Sequence, residues 1–307
     1  MEKTTLYPNH HLAGFSLVPS LHREQTPLSP TPSRWAEKFS SPRRPQTSSP
    51  RSTEKAKTSK PDFSLVEVKG GVLPRGSYLC GVEVGSFLLG NSPVTQEEWL
   101  RVRLWAQSIE LTIRPNANWF KDLTYPAGAS WYDAVVWCNA KSEMDGLQPV
   151  YRLPDPVYVL SGKEATHWEN YDAFKRLATY PVLLNPKADG YRLPTEAEWE
   201  WAARGGCHSQ GYTFSGSNNL DKVGWYRVNS GDRMHAPGEK SPNELGLYDM
   251  SGNISDWCWD LVANGFYHRV RGGFWGNDPE LCAVFARRSS LTFSRGDDIG
   301  LRLARNL

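Results

Sequence analysis

Two acidic residues enclose a tight turn in Asp249-Met-Ser-Gly-Asn-Ile-Ser-Asp256. Hard calcium takes such mixtures of carboxylate and backbone carbonyl oxygens as ligands. The same residue types also suit a turn in which Asp249 and Asp256 accept from the loop's own amides. Five cysteines, Cys80, Cys138, Cys207, Cys258 and Cys282, include no CxxC pair. That argues against a zinc ribbon or a disulfide framework, and the odd number leaves at least one thiol free. Cys138 falls on the apolar side of a predicted helix and Cys258 lies between Trp257 and Trp259, so both are expected to be buried and inert. Cys282 precedes Ala283-Val-Phe285 and reads as a core residue unless an activating partner makes it reactive. His208 and His235 stand in predicted loops with no acid at triad spacing and no HExxH pattern, so solvated rings are expected. From Phe274 to Asp298, large apolar residues (Phe274, Trp275, Phe285, Leu291, Phe293) alternate with charged ones (Arg287, Arg288, Arg295, Asp297, Asp298). Aromatic and arginine side chains anchor binding surfaces. A half-buried strand whose arginines pair with local acids would give the same pattern.

These residues need elements to position them. Thr95 with Glu98 and Thr195 with Glu198 have the spacing of capping boxes and predict two helix starts. Gly205-Gly206 predicts where the second of these ends. Ser130 predicts a third start, with Ala134, Val135 and Cys138 spaced for one buried face. Phe63-Ser-Leu-Val-Glu-Val68 alternates as a half-buried strand does, and Gly70-Gly71 turns the chain. Pro149–Leu153, Val270–Trp275 and Ile299–Ala304 are further short strands. Neither Gly70-Gly71 nor Gly205-Gly206 has the lysine or the strand–turn–helix setting of a nucleotide loop. So much loop between short elements, with no internal repeat, predicts one α+β domain over residues 62–307.

Residues 19–61 are crowded with Pro, Ser and Thr, and such a segment buries too little apolar surface to offset its conformational entropy. Residues 1–61 are therefore expected to be a disordered basic tail. It carries ten Lys/Arg against four acids, a balance of +6, which leaves −4 on the rest of a chain of net charge +2. The basic residues are dispersed and the aromatics few, so a solvated linker is expected and nucleic acid is not. No apolar run is long enough to cross a bilayer, and no secretory signal is legible, which makes the cytoplasm the default compartment.

Tyr191-Arg-Leu-Pro-Thr-Glu-Ala-Glu-Trp-Glu-Trp-Ala-Ala-Arg-Gly-Gly206 resembles the central helix motif of the formylglycine-generating enzyme (sulfatase-modifying factor) family. Pro93–Trp99, Ser130–Ala134, Asn243–Asn253, Arg271-Gly-Gly273 and Ile299-Gly-Leu-Arg302 resemble other motifs of that family, in its order, over roughly residues 63–305. The resemblance implies a C-type-lectin-like fold. It also implies an oxidase that converts a sulfatase cysteine to formylglycine, with oxygen and a copper(I) ion held by two thiolates of Gly-Gly-Ser-aromatic-x-Cys-x4-Cys. Here that stretch reads Gly272-Gly-Phe-Trp-Gly-Asn-Asp-Pro-Glu-Leu-Cys282. Cys282 matches the second thiolate, but Asn277 stands at the first, and a hard amide oxygen is a poor copper(I) ligand. The family's serine is Phe274, and the tryptophan expected after Asn253 is Ser255.

The expectation is therefore a non-catalytic binding module for an unknown protein, peptide or small molecule. Its candidate ligand-binding residues are Phe274, Trp275, Asn277, Asp278, Phe285, Arg287, Arg288 and Arg295. The alternative is an oxidase acting on a sulfatase, with Cys282 as its catalytic residue and copper as its cofactor. By position, the family's structural calcium would be held by Asp249, the carbonyls of Gly252 and Ile254, and Asp256. Its second calcium site would fall near Val223, which offers no oxygen, so Asn218, Asn219 and Asp221 are expected to form a turn instead.

Overall fold

Hydroxyl side chains set the starts of the three longer helices. The structure, a computed structural model, describes residues 64–109, 111, 113–117, 122–152, 182–262 and 265–307. All of them lie within one unit, Lys57–Leu307; the tail expected over 1–61 lies outside the described residues. Helix α1, Gln96–Ser108, is capped by Thr95, whose hydroxyl accepts from the Glu98 amide at 3.2 Å. Only half of the expected box forms, because the Glu98 carboxylate turns to Arg101 at 2.7 Å and Lys141 at 3.7 Å. Helix α2, Trp131–Met144, has a complete box between Ser130 and Asp133. Helix α3, Glu196–Ala203, has one between Thr195 and Glu198, and Gly205 at φ +89° follows its end.

The single buried face expected for α2 is corrected by the structure. Every residue from Trp131 to Ser142 is buried. Its polar members survive there because each is bonded. Asn139 exchanges two hydrogen bonds with the Tyr151 backbone, while the Ser142 hydroxyl donates to the Cys138 carbonyl and accepts from the Tyr191 amide.

The strands are short: β1 Leu65–Val68, β2 Gly71–Val72, β3 Glu83–Val84, β4 Phe87–Gly90, β5 Tyr151–Arg152, β6 Leu183–Leu184 and β7 Tyr191–Arg192. A short helix α4, Leu220–Val223, precedes β8 Ser255–Leu261, β9 Tyr267–Arg271, β10 Arg288–Leu291, β11 Ile299–Gly300 and β12 Ala304–Asn306. Among the described residues these form one four-stranded sheet in the order β1-β4-β12-β7, a second in the order β10-β9-β8-β11, and two strand pairs. The expected strand Ile299–Ala304 divides into β11, parallel to β8, and β12, antiparallel to β4 and β7. The C-terminal segment thus ties the two larger sheets together. The expected strand Val270–Trp275 stops at Arg271, because Gly272 and Gly273 adopt φ +90° and +70°.

Helix α3 lays Trp199 into a core cluster with Phe87, Leu89, Met250 and Cys258, while Trp99, Trp131, Trp137 and Trp257 anchor a second cluster around α1 and α2. A third, small cluster holds Leu220, Val223, Tyr226 and Cys282. The Asp249–Ile254 loop, the ends of β9 and β10 and this third cluster adjoin one another, and the candidate site is built from them.

Candidate functional site

The Asp249–Asp256 loop is held by its own backbone and by residues distant in sequence. Asp249 and Asn253 adopt φ +56° and +66°, and Gly252 adopts φ +87°. A Cβ on Gly252 would meet the Trp225 carbonyl oxygen at 2.2 Å, so this position takes only glycine. Both Asp249 carboxylate oxygens accept hydrogen bonds, from the Gly238 amide at 2.8 Å and Asn253 Nδ2 at 3.1 Å. The loop's own backbone amides, the donors expected from the sequence, are not the ones used: Asp249 accepts from Gly238, outside the loop, and from the Asn253 side chain. Burial pushes the Asp249 carboxyl up to about 6.

Asp256 is fixed differently. Its Oδ2 accepts from Trp199 Nε1 at 2.9 Å and Arg302 Nε at 3.0 Å, while its Oδ1 is buried and has no hydrogen-bond partner. Arg302, itself wholly buried, also donates to the Gly90 and Tyr248 carbonyls. The orphaned Oδ1 is the feature of this loop that fits a cation, since a buried, unbonded carboxylate oxygen is costly. The Gly252 carbonyl accepts from the Ile254 amide at 2.9 Å. Among the described residues no group of three or more His, Cys, Asp and Glu could hold a metal, so any calcium here would depend on the two carboxylates and backbone carbonyls. Asn219 caps α4 through the Asp221 amide and Asn218 accepts from Thr213, which is the turn expected of them.

Around Cys282 the chemistry is that of a sealed core. The side chain is buried against Leu220, Val223 and Tyr226, and burial pushes its thiol up to about 12. A nucleophile or copper ligand must be a thiolate, and this one is protonated at neutral pH. Cys138 and Cys258 lie in the two other core clusters, and Cys80 and Cys207 are exposed. All five thiols are free. At the position of the motif's missing first thiol, Asn277 Oδ1 accepts from the Phe274 amide at 3.1 Å and from Arg288 Nη1 at 2.9 Å. A Cβ on Gly273 would lie 2.9 Å from Cys282 Sγ and 2.7 Å from the Leu281 carbonyl oxygen, so this turn too depends on glycine.

The candidate ligand-binding residues divide by partner. Phe274, Trp275, Asn277 and Arg288 come together: the two rings meet edge-to-face with centroids 5.6 Å apart, and Arg288 Cζ is 5.5 Å from the Phe274 centroid. Asp278 pairs with Arg227, and Phe285 is exposed. Arg287 grips Glu196 with two bonds of 2.6 and 2.7 Å and lies over the Tyr78 ring, and Arg295 pairs with Asp133 at 3.3 Å. For these two arginines the structure shows the pairing to local acids that the alternation left open. His235 corrects an expectation, for its ring is stacked on Trp225 with centroids 3.8 Å apart rather than solvated.

Sequence reasoning missed the charge cluster beneath this face. Glu196 and Glu200, both buried on α3, hold Arg271 at 3.0 and 2.8 Å, with Arg204 on Glu200 and Arg287 and Arg269 on Glu196. It also missed Trp199 and Arg302 as the anchors of Asp256. All but Arg269 lie inside the segments quoted from the sequence, and apart from Arg204 and Glu200, four residues apart, nothing in a one-dimensional pattern pairs residues so distant.

Comparison with known proteins supplies a second line of evidence. Residues 50–307 match the family model of the sulfatase-modifying factor enzyme 1-like domain. The chain is similar to the chaperone protein LppX of Paenibacillus barcinonensis, at 33% identity over 79% of this chain and 89% of that one. It is also similar to the formylglycine-generating enzyme of Streptomyces coelicolor, at 31% identity over 58% of this chain and 62% of that one. Among solved structures, Treponema denticola variable protein 1 superposes with a TM-score of 0.63 at 28% identity, over 80% of this chain and 95% of that one. CarF does so with 0.66 at 27% identity, over 80% and 99%.

Proposed function

The chain belongs to the sulfatase-modifying factor enzyme 1-like family, and on that footing we propose that it is a non-catalytic, calcium-stabilised binding module of C-type-lectin-like fold. Its ligand would be a protein, a peptide or a small molecule. The observation that carries this reading is the isolation of the Cys282 thiol, protonated in a small apolar cluster, with an amide already bonded to Arg288 where a second thiolate would stand. Copper(I) does not fit these residues, because it needs two soft anionic ligands and a guanidinium occupies the neighbourhood. One relative bears the name of a chaperone and covers most of this chain, which supports binding without bond chemistry. Another bears the name of the oxidase, and that alternative, with a sulfatase as partner, requires a second sulfur. Calcium would be held by Asp249, Asp256 and the Gly252 and Ile254 carbonyls, and would neutralise two buried carboxylates that Arg302 offsets only in part; the unpartnered Asp256 Oδ1 supports this.

The test supplies the full chain with copper(I) and a sulfatase-motif peptide under oxygen. No peptide conversion and no stoichiometric copper binding are expected. Conversion of the peptide, or one-to-one copper binding lost in Cys282→Ser, would overturn the reading.

A further inference from the structure

Arg288 opens β10, opposite Val270 of β9. Its side chain is half-buried, yet among the described residues no carboxylate lies within the 4.0 Å of an ion pair. Arg287 and Arg295, its neighbours in sequence, both have one. One guanidinium nitrogen, Nη1, donates to Asn277 Oδ1 at 2.9 Å. That oxygen is also taken by the Phe274 amide, so it is fully occupied. Nδ2 of Asn277 and Nε and Nη2 of Arg288 have no acceptor among the described residues. The donors therefore share one neighbourhood. Phe274 covers one face of the guanidinium at 5.5 Å, and Trp275 meets Phe274 edge-on.

We propose that Arg288, Asn277 and Phe274 form a binding site for a carboxylate carried next to an apolar group. This rests on the binding-module reading and names the class of ligand. A planar carboxylate offers two acceptor oxygens to a guanidinium fork, and the aromatic pair offers an apolar wall to the group beside it. The charge balance selects a monoanion. Arg288 brings one positive charge, while Asp298, close enough to feel that charge, and Asp278, already paired with Arg227, oppose a more highly charged phosphate. A metal cation is repelled by the same guanidinium.

The experiment titrates 3-phenylpropionate, its uncharged amide and inorganic phosphate into the full chain, with chelator present, and follows tryptophan fluorescence and calorimetric heat. The carboxylate is expected to saturate a single site and to weaken as salt is added. The amide should bind roughly 10- to 100-fold more weakly, the loss of a charge-assisted hydrogen bond. Arg288→Gln should show the same loss, Arg288→Lys a partial one, and Phe274→Ala should weaken carboxylate and amide alike while the melting temperature holds. Equal binding of carboxylate and amide, tighter binding of phosphate, or unchanged affinity in Arg288→Gln would overturn the proposal. Failure here without peptide conversion in the copper assay removes this ligand class alone. Carboxylate binding together with peptide conversion removes the non-catalytic reading instead.

Discussion

Asp249 sits in the left-handed region with both oxygens bonded, and burial still raises its carboxyl to about 6. A folded-state pKa above that of the unfolded chain means that ionisation costs the fold. The stability this group contributes is complete below about pH 4 and lost as pH rises through about 6. In chelator, wild-type stability relative to Asp249→Asn should therefore fall between pH 4 and 7, by about 3 kcal/mol at most. Urea unfolding across that range checks this, and parallel curves for the two proteins would contradict it. A bound cation reverses the sign by favouring the ionised form. Calcium at pH 7 should thus raise the melting temperature of wild type, chelator should lower it again, and Asp256→Ala should not respond. At the same scale, the side chains that anchor Asp256 were hidden from the sequence: a tryptophan on α3 and an arginine between β11 and β12 become its partners only through the fold.

Helix α3 brings Glu196 and Glu200 beneath β9 and the approach to β10, where Arg271 is wholly buried between them. Burial by itself would raise the Glu196 carboxyl, but Arg287, Arg271 and Arg269 together hold it below its ordinary value. Removing one partner of such a cluster leaves charge buried without compensation. Glu196→Ala should destabilise the protein by about 3–5 kcal/mol in denaturant unfolding, because it strips Arg287 and Arg269 of their carboxylate and leaves Arg271 with Glu200 alone. A loss below about 1 kcal/mol, the value of an exposed pair, would show that solvent reaches the cluster. The helix starts were legible, because a cap is a local contract between residues three apart. The burial of α2 was not, because Asn139 and Ser142 look like a solvent-facing stripe until Tyr151 and Tyr191 supply their partners.

Across the whole molecule, five free thiols are distributed over three core clusters and two exposed positions. A disulfide reagent should modify Cys80 and Cys207 in the native protein and all five cysteines after unfolding, with mass spectrometry identifying the sites; rapid native modification of Cys282 would mean that its cluster is open to solvent. The helix starts, the family motifs and the asparagine that stands where the motif's first cysteine would be are properties of residue order, and the sequence alone determined them. The short strands were placed less well. Val270–Trp275 ended early at two glycines of positive φ, and Ile299–Ala304 divided between two sheets, since strand length depends on the partner across the ladder. Only the tertiary structure decided that Arg287 is spent on an acid while Arg288 keeps free donors. Arg287 and Arg288 are adjacent in the chain, but one reaches Glu196 on α3 and the other reaches the Asn277 side-chain amide. Whether a charge is neutralised depends on what lies within a few ångströms of it, and for these side chains that distance is set by packing between segments remote in sequence.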